Sequence, residues 1–175
     1  MNNTPLEIEY KFLIEMPDSE LLCAQADYRE KKLCQMYLEL PSGLSEHGTR
    51  CRIRKSEENG KATYFKTFKK AVTEMTRIEI EEEIDEAEYL KLSEYIKKGT
   101  APVEKVRHTF SFEGYTCEID IFPFWDTQAF LEIEVESEDV LPPVPSFIKI
   151  IKDVSKDKNY RNSVIAKRIF EGTSI

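Results

Sequence analysis

The chain has 175 residues, 41% of them hydrophobic and 33% charged, with a formal net charge of -8. That length suits one domain, residues 1–175, with a real core, and the acidic balance argues against a nucleic-acid binder, which normally carries a basic excess. No apolar run approaches the roughly 20 residues that span a bilayer, and the N-terminus lacks the basic-then-apolar layout of a signal peptide, so a cytoplasmic protein without membrane contact is expected.

Taken in order, Glu7-Ile8-Glu9-Tyr10-Lys11 and the following Phe12-Leu13-Ile14 alternate ionisable with apolar residues. As a strand this stretch sends Glu7, Glu9 and Lys11 to one face and Ile8, Tyr10 and Phe12 to the other. Asp18 or Ser19 caps a short helix running to Ala26. Lys31 to Leu40 reads as a second strand with Leu33, Gln35 and Tyr37 on one face, and Pro41-Ser42-Gly43 opens a loop through Gly48. Thr49 to Lys55 puts Arg50, Arg52 and Arg54 on one face and Cys51 and Ile53 on the other. Three neighbouring arginines repel unless an anion or carboxylates stand between them. Asn59-Gly60 is the pair expected of a tight hairpin, so Lys61 to Phe68 should return antiparallel, with Tyr64, Lys66 and Phe68 on one face and Lys66 beside the arginines.

Thr76 to Ile84 alternates Arg77, Glu79, Glu81 and Glu83 against Ile78, Ile80 and Glu82. Asp85 can cap a packing helix from Glu86 to Lys98 that ends at Gly99. Val103 to Phe112 aligns Lys105, Arg107 and Thr109, and a hairpin at Glu113-Gly114 leads to Thr116 to Phe122, where Glu118 and Asp120 align. Phe130 to Ser137 aligns Glu132, Glu134 and Glu136. Leu141-Pro142-Pro143-Val144-Pro145 is a stiff connector, and helices are expected near Ser146 to Asp153 and near Arg161 to Phe170.

Several strands therefore share one design, an apolar face and a face of acids, bases or both. An open sheet would turn the charged face to water, whereas a closed barrel would turn it inward and leave the apolar faces for helices outside. Arginine is concentrated in the middle of the chain and glutamate at its beginning and end. That segregation suits a polyphosphate, with Arg50, Arg52, Arg54, Lys66, Arg77, Lys105 and Arg107 as donors. It also suits a hard divalent cation, Mg²⁺ or Mn²⁺, on Glu7, Glu9, Glu132 and Glu134. An acidic protein can hold such an anion because the local field decides the binding.

The opening stretch resembles the ExExK signature of the CYTH domain, the superfamily of triphosphate tunnel metalloenzymes. Arg52-Ile53-Arg54 resembles its RxR strand, Lys66 its TxK lysine, and Arg77-Ile78-Glu79-Ile80-Glu81 its RxExE strand. Lys105-Val106-Arg107 resembles the KxR strand, Glu118-Ile119-Asp120 the strand that supplies an aspartate, and Glu132-Ile133-Glu134 the closing ExE. Asp157-Lys158-Asn159-Tyr160-Arg161-Asn162 resembles the DKxYxN segment of bacterial inorganic triphosphatase members. The resemblance implies an α+β fold, an eight-stranded antiparallel barrel open at its ends with helices packed outside. Glu7, Glu9, Glu132 and Glu134 would hold metal, Arg52, Arg54, Lys66, Arg77, Lys105 and Arg107 would hold phosphates, and Lys11 would orient the reactive phosphate or the attacking water.

The activity so implied is hydrolysis of a small-molecule triphosphate, inorganic tripolyphosphate first. Thiamine triphosphatase or nucleoside triphosphatase activity, class IV adenylate cyclase activity and a non-catalytic binding module are the alternatives, in a monomer or homodimer. Arg50, Glu79, Glu81, Glu118, Asp120, Lys158 and Tyr160 are further candidates, the acids as ligands or as counter-charges. Lys69, Lys70 and Arg50 depart from the family pattern. His47 lies in a loop and His108 on the apolar face. Phe124 and Trp125 either close a tunnel end or pack down onto the domain. Cys23, Cys34, Cys51 and Cys117 lack CxxC spacing and read as small apolar residues.

Overall fold

A chain that alternates wet and dry residues over most of its length builds strands, and their wet faces must either meet solvent or one another. The computed structural model of the protein describes residues 6–41 and 50–174; the expected loop from Ser42 to Gly48, with His47, and the strand residue Thr49 lie outside them. In chain order the elements are β1 (Leu6–Glu15), α1 (Ser19–Cys23), β2 (Ala26–Leu38), β3 (Arg50–Glu58), β4 (Lys61–Ala71) and β5 (Thr76–Ile84). There follow α2 (Glu86–Ser93), β6 (Val103–Phe112), β7 (Tyr115–Ile121), β8 (Gln128–Glu134), β9 (Ile150–Asp153) and α3 (Asn162–Glu171). Antiparallel neighbours run β5-β4-β3-β2-β6-β7-β8-β1, and β1 pairs back on β5, which closes an eight-stranded barrel of the expected α+β class. At the β3–β4 turn Asn59 and Gly60 have φ of 52° and 76°, the left-handed pair that a two-residue hairpin needs.

The dry faces point out of the ring. Cys51 and Ile53 of β3, with Leu38 and Ile84, pack under Tyr89 and Leu92 of α2 and its C-terminal end. Elsewhere Phe12, Phe110, Ile119 and Ile133 pack with Leu22 of α1 and with Ile148 of the connector. Each such side chain, fully buried, contributes about 1.5–3 kcal/mol to folding.

A third cluster lies within the ring. Leu13, Val103 and Phe130 share the inward parity of Lys11, Lys105 and Glu132, and they pack against Phe122, Trp125 and the Ile165 and Ala166 side chains of α3. Helix α3 therefore plugs one end of the barrel, a correction to the expectation of a tunnel open at both ends. Trp125 stands edge-on to Phe130 with ring centroids 4.8 Å apart, so it packs into this plug.

The ring is thinnest between β1 and β5, where Leu6, Glu7 and Ile8 face Ile78, Arg77 and Thr76. From Phe12 onward β9 takes over the same edge of β1. Between them the C-terminal segment bridges the gap: the Lys11 amide donates to Ser155 Oγ at 2.9 Å and the Val154 amide to the Lys11 carbonyl at 2.9 Å. Strand β9 replaces the helix expected near Ser146 to Asp153, because the open edge of β1 offers ladder hydrogen bonds that override local preference. The helix expected from Glu86 to Lys98 stops at Ser93, since Leu38 bridges Ile96 and the Lys97 amide donates to the Tyr37 carbonyl at 2.8 Å. Among the described residues no helix is long and apolar enough to cross a membrane.

Candidate active site

The inward faces enclose a cavity of about 520 Å³. Its wall takes alternate residues: Glu7, Glu9 and Lys11 from β1, Arg50, Arg52 and Arg54 from β3, Lys69 from β4, and Arg77, Glu79 and Glu81 from β5. Strands β6, β7 and β8 add Lys105, Arg107, Glu118, Glu132 and Glu134. Of the two arrangements open to the sequence, the closed one holds, and the charged faces meet each other.

Register sets most of the ion pairs. Arg107 stands opposite Asp120, and Glu118 opposite Glu132. Arg107 donates from Nε to Asp120 Oδ1 and from Nη2 to Asp120 Oδ2, each at 2.7 Å, and from Nη2 to Glu132 Oε2 at 2.6 Å. It also pairs with Glu118, while the fully buried Asp120 pairs with Lys105 as well. Lys11 Nζ donates to Glu132 Oε1 at 2.8 Å and lies 4.1 Å from the Phe130 ring centroid. Arg54 donates to Glu81 at 2.7 Å, Arg52 reaches Glu79 at 3.3 Å, and Lys69 reaches Glu7 at 3.2 Å and also pairs with Glu79. Glu79, Glu81, Glu118 and Asp120 thus serve as counter-charges to the basic wall.

Other groups lack partners. Arg52 Nε and Arg54 Nε are buried N–H donors without an acceptor, and buried donors left so cost stability until an acceptor arrives. Among the described residues the ion pairs of the cavity leave out Arg77, Glu9 and Glu134. Burial, then the Glu132 charge, pushes the Glu9 carboxyl up to about 8. Burial also raises Glu134, with Glu7 next in effect, and raises Glu7, where the neighbouring Glu79 adds to it. Burial would raise Glu132 too, but Lys11 and Arg107 outweigh it and hold that carboxyl well below the usual range. Burial, then Arg107, brings the Lys105 ammonium down to about 8.

Three carboxyls raised chiefly by burial, Glu7 despite its contact with Lys69, suit a hard divalent cation, which prefers oxygen donors and would displace their protons. Glu7, Glu9 and Glu134 fit that donor chemistry, whereas Glu132 is engaged by Lys11 and Arg107. Among the described residues no three His, Cys, Asp or Glu side chains already stand in ligating geometry.

Two residues singled out in the sequence stand away from the cavity. Lys66 pairs with Glu82 and Glu88 on the outer face, because it shares parity with Tyr64 and Phe68, which pack outside the barrel with Tyr89. The inward positions belong to Thr67 and Lys69, opposite Arg52 and Arg50. The apolar pair Tyr64 and Phe68 marks that outer face in the sequence. Lys158 is exposed and, among the described residues, reaches only Glu74, at 3.9 Å. Tyr160 does line the cavity, its ring edge-on to Phe130 at 5.9 Å. Sequence reasoning also passed over Gln35 and Tyr37, which carry the inward parity without charge, and Val154, Ser155 and Ser163, which flank the Asp157 to Asn162 motif and which no strand periodicity announces. His108 sits on the outer face, its Nδ1 2.8 Å from the Tyr28 hydroxyl.

Residues 5–162 match the CYTH domain family. The chain is 29% identical over 167 residues to the inorganic triphosphatase of Acetivibrio thermocellus, a match that covers 94% of this chain and 96% of that one. The crystal structure of the inorganic triphosphatase NE1496 is similar over 92% of this chain and 94% of its own, with a TM-score of 0.53 and 27% identity. The structure of the PH1819 protein from Pyrococcus horikoshii OT3 covers 76% of this chain and 80% of its own, with a TM-score of 0.57 and 28% identity.

Proposed function

The chain belongs to the CYTH domain family, and from that premise we propose that it hydrolyses a triphosphate, inorganic tripolyphosphate ahead of thiamine triphosphate, nucleoside triphosphates or cyclisation of ATP. The observation that carries this reading is the unpaired half of the cavity, where the orphaned N–H donors of Arg52 and Arg54 share one wall system with the uncompensated carboxyls of Glu9 and Glu134. An anion alone would satisfy the first set and a cation alone the second. A metal triphosphate satisfies both.

In this mechanism Arg52, Arg54, Lys69, Arg77, Lys105 and Arg107 bind and neutralise the non-bridging phosphate oxygens, the guanidiniums by paired N–H donors. Glu7, Glu9 and Glu134 would hold Mg²⁺ or Mn²⁺, which when bound supplies charge neutralisation on the phosphates and a lower pKa for a coordinated water. Lys11, fixed by Glu132 and the Phe130 ring, aims its ammonium at the reacting phosphoryl group and orients it. Water oxygen bonds to the terminal phosphorus, its proton passes to a phosphate oxygen of the products, the bridging P–O bond breaks, and pyrophosphate leaves with its new charge met by the basic wall. The plug formed by Phe122, Trp125, Phe130 and α3 keeps bulk water from one end.

The test is phosphate release from tripolyphosphate, ATP and thiamine triphosphate with Mg²⁺ or Mn²⁺, alongside Glu9→Gln. Hydrolysis of tripolyphosphate that needs the metal and is lost in the variant supports the reading. No release from any of the three, or an unimpaired variant, overturns it.

A further inference from the structure

The arginines of the cavity are treated unequally. Arg52, Arg54 and Arg107 each face a carboxylate. Arg161, which also lines the cavity, has none within ion-pair distance among the described residues, and the nearby Glu74 is engaged by Lys158. Burial weakens its hold on its proton, and the charges that weaken it further are Arg77 and Arg50. Like charges gathered in a partly desolvated wall repel, and in a folded protein such an arrangement persists where an anion relieves it.

The position of Arg161 is fixed by its surroundings. It forms the first turn of α3, accepting from the Ile165 amide at 3.0 Å, and no side chain caps that turn, so its amides add to the positive wall. One turn on, Ile165 and Ala166 are locked into the plug. On the other side Tyr160 rests on Phe130, and Ser155 is bonded to the Lys11 backbone. The segment that closes the barrel thus presents one cation, Arg161, to the cavity, beside Arg77 and Arg50.

We propose that Arg161, together with Arg77, forms an anion subsite of this cavity and grips the free terminal phosphoryl group of the triphosphate, so that the C-terminal segment supplies a binding residue as well as a plug. This rests on the triphosphate reading above. A terminal phosphoryl group carries more charge than a bridging one, so it suits the part of the wall where the cations are uncompensated.

The experiment uses the full chain, wild type beside Arg161→Gln, Arg161→Lys and the exposed control Lys158→Gln. Binding of tripolyphosphate is measured by calorimetry in chelator, and KM and kcat with Mg²⁺ or Mn²⁺. Arg161→Gln should raise Kd and KM by about tenfold or more, as loss of a charge-assisted contact does, with a smaller change in kcat. Arg161→Lys should recover part of the loss, Lys158→Gln should match wild type, and the melting temperature of Arg161→Gln without anion should not fall. A Kd for Arg161→Gln within about twofold of wild type, or a loss that Arg161→Lys leaves unrelieved, overturns the subsite. If the wild type binds tripolyphosphate but turns over no triphosphate, the hydrolytic reading fails while the Kd comparison still decides the subsite; if it binds none, both fail.

Discussion

Lys11 and Glu132 are register partners across the β1–β8 ladder, and the Lys11 ammonium donates to Glu132 Oε1 at 2.8 Å while Arg107 takes the other oxygen at 2.6 Å. Glu132 therefore holds two buried cations in place, which separates it from Glu7, Glu9 and Glu134. Its removal leaves Lys11 with no carboxylate among the described residues and Arg107 with only Asp120 and Glu118, in a desolvated wall. Glu132→Ala should cost about 3–5 kcal/mol, as breaking a buried pair does. At this chain length that lowers the melting temperature by about 10 °C. Thermal denaturation checks it, and a variant melting within about 2 °C of wild type would exclude the counter-ion role.

Glu9 should behave in the opposite way. It has no counter-ion among the described residues, and burial and the Glu132 charge both work against its carboxylate. Glu9→Gln keeps the shape and removes the charge, so the melting temperature in chelator should hold or rise. Turnover of tripolyphosphate should nevertheless fall by about 10²–10³-fold, the scale of losing one electrostatic element of a phosphoryl-transfer site. Melting and steady-state kinetics on the same preparation separate the two effects, and a variant that loses stability and activity together would refute the assignment.

Lys66 and Lys69 offer a matched pair, three residues apart on β4 and on opposite faces. Lys69 contacts Glu7 and Glu79 inside the barrel, whereas Lys66 joins β4 to Glu82 and to Glu88 of α2 outside. Lys69→Ala should raise KM for tripolyphosphate by about tenfold, the effect of one charged contact. Lys66→Ala should leave KM and kcat as they are and cost about 0–1 kcal/mol, as surface pairs do. Kinetics in which Lys66→Ala is the impaired protein would reverse the facing of β4.

The strands were legible because parity survives any error in their ends. Glu7, Glu9 and Lys11, or Arg50, Arg52 and Arg54, stay on one face wherever the strand begins. Which face points inward is a further question, and on β4 the single ionisable residue between Tyr64 and Phe68 drew attention to the wrong one, although two aromatics flanking a lysine mark a face that packs. The plug and the C-terminal wall were not legible for a different reason. Leu13, Val103 and Phe130 look like ordinary strand residues until α3 meets them inside the ring, and β9 exists because β5 leaves an edge of β1 unpaired. Both are consequences of closure, which no local window contains.

Lys105 makes the pH dependence of binding specific. Burial, then Arg107, brings its ammonium down to about 8 even though Asp120 is bonded to it. Below that value the group is charged and above it neutral, and a triphosphate favours the charged form. Linkage then requires the complex to take up a proton above pH 8, and affinity to fall as pH rises from there toward the higher value in the complex. The limiting slope is about tenfold per pH unit, one proton per ligand. Calorimetry in two buffers of different ionisation enthalpy counts that proton. The titration of the triphosphate itself is common to both proteins and cancels in the difference between wild type and Lys105→Met. The variant should bind more weakly at pH 7 and converge on wild type at higher pH, because the wild-type side chain is by then as neutral as methionine. Equal slopes in the two proteins would assign the titration to another group.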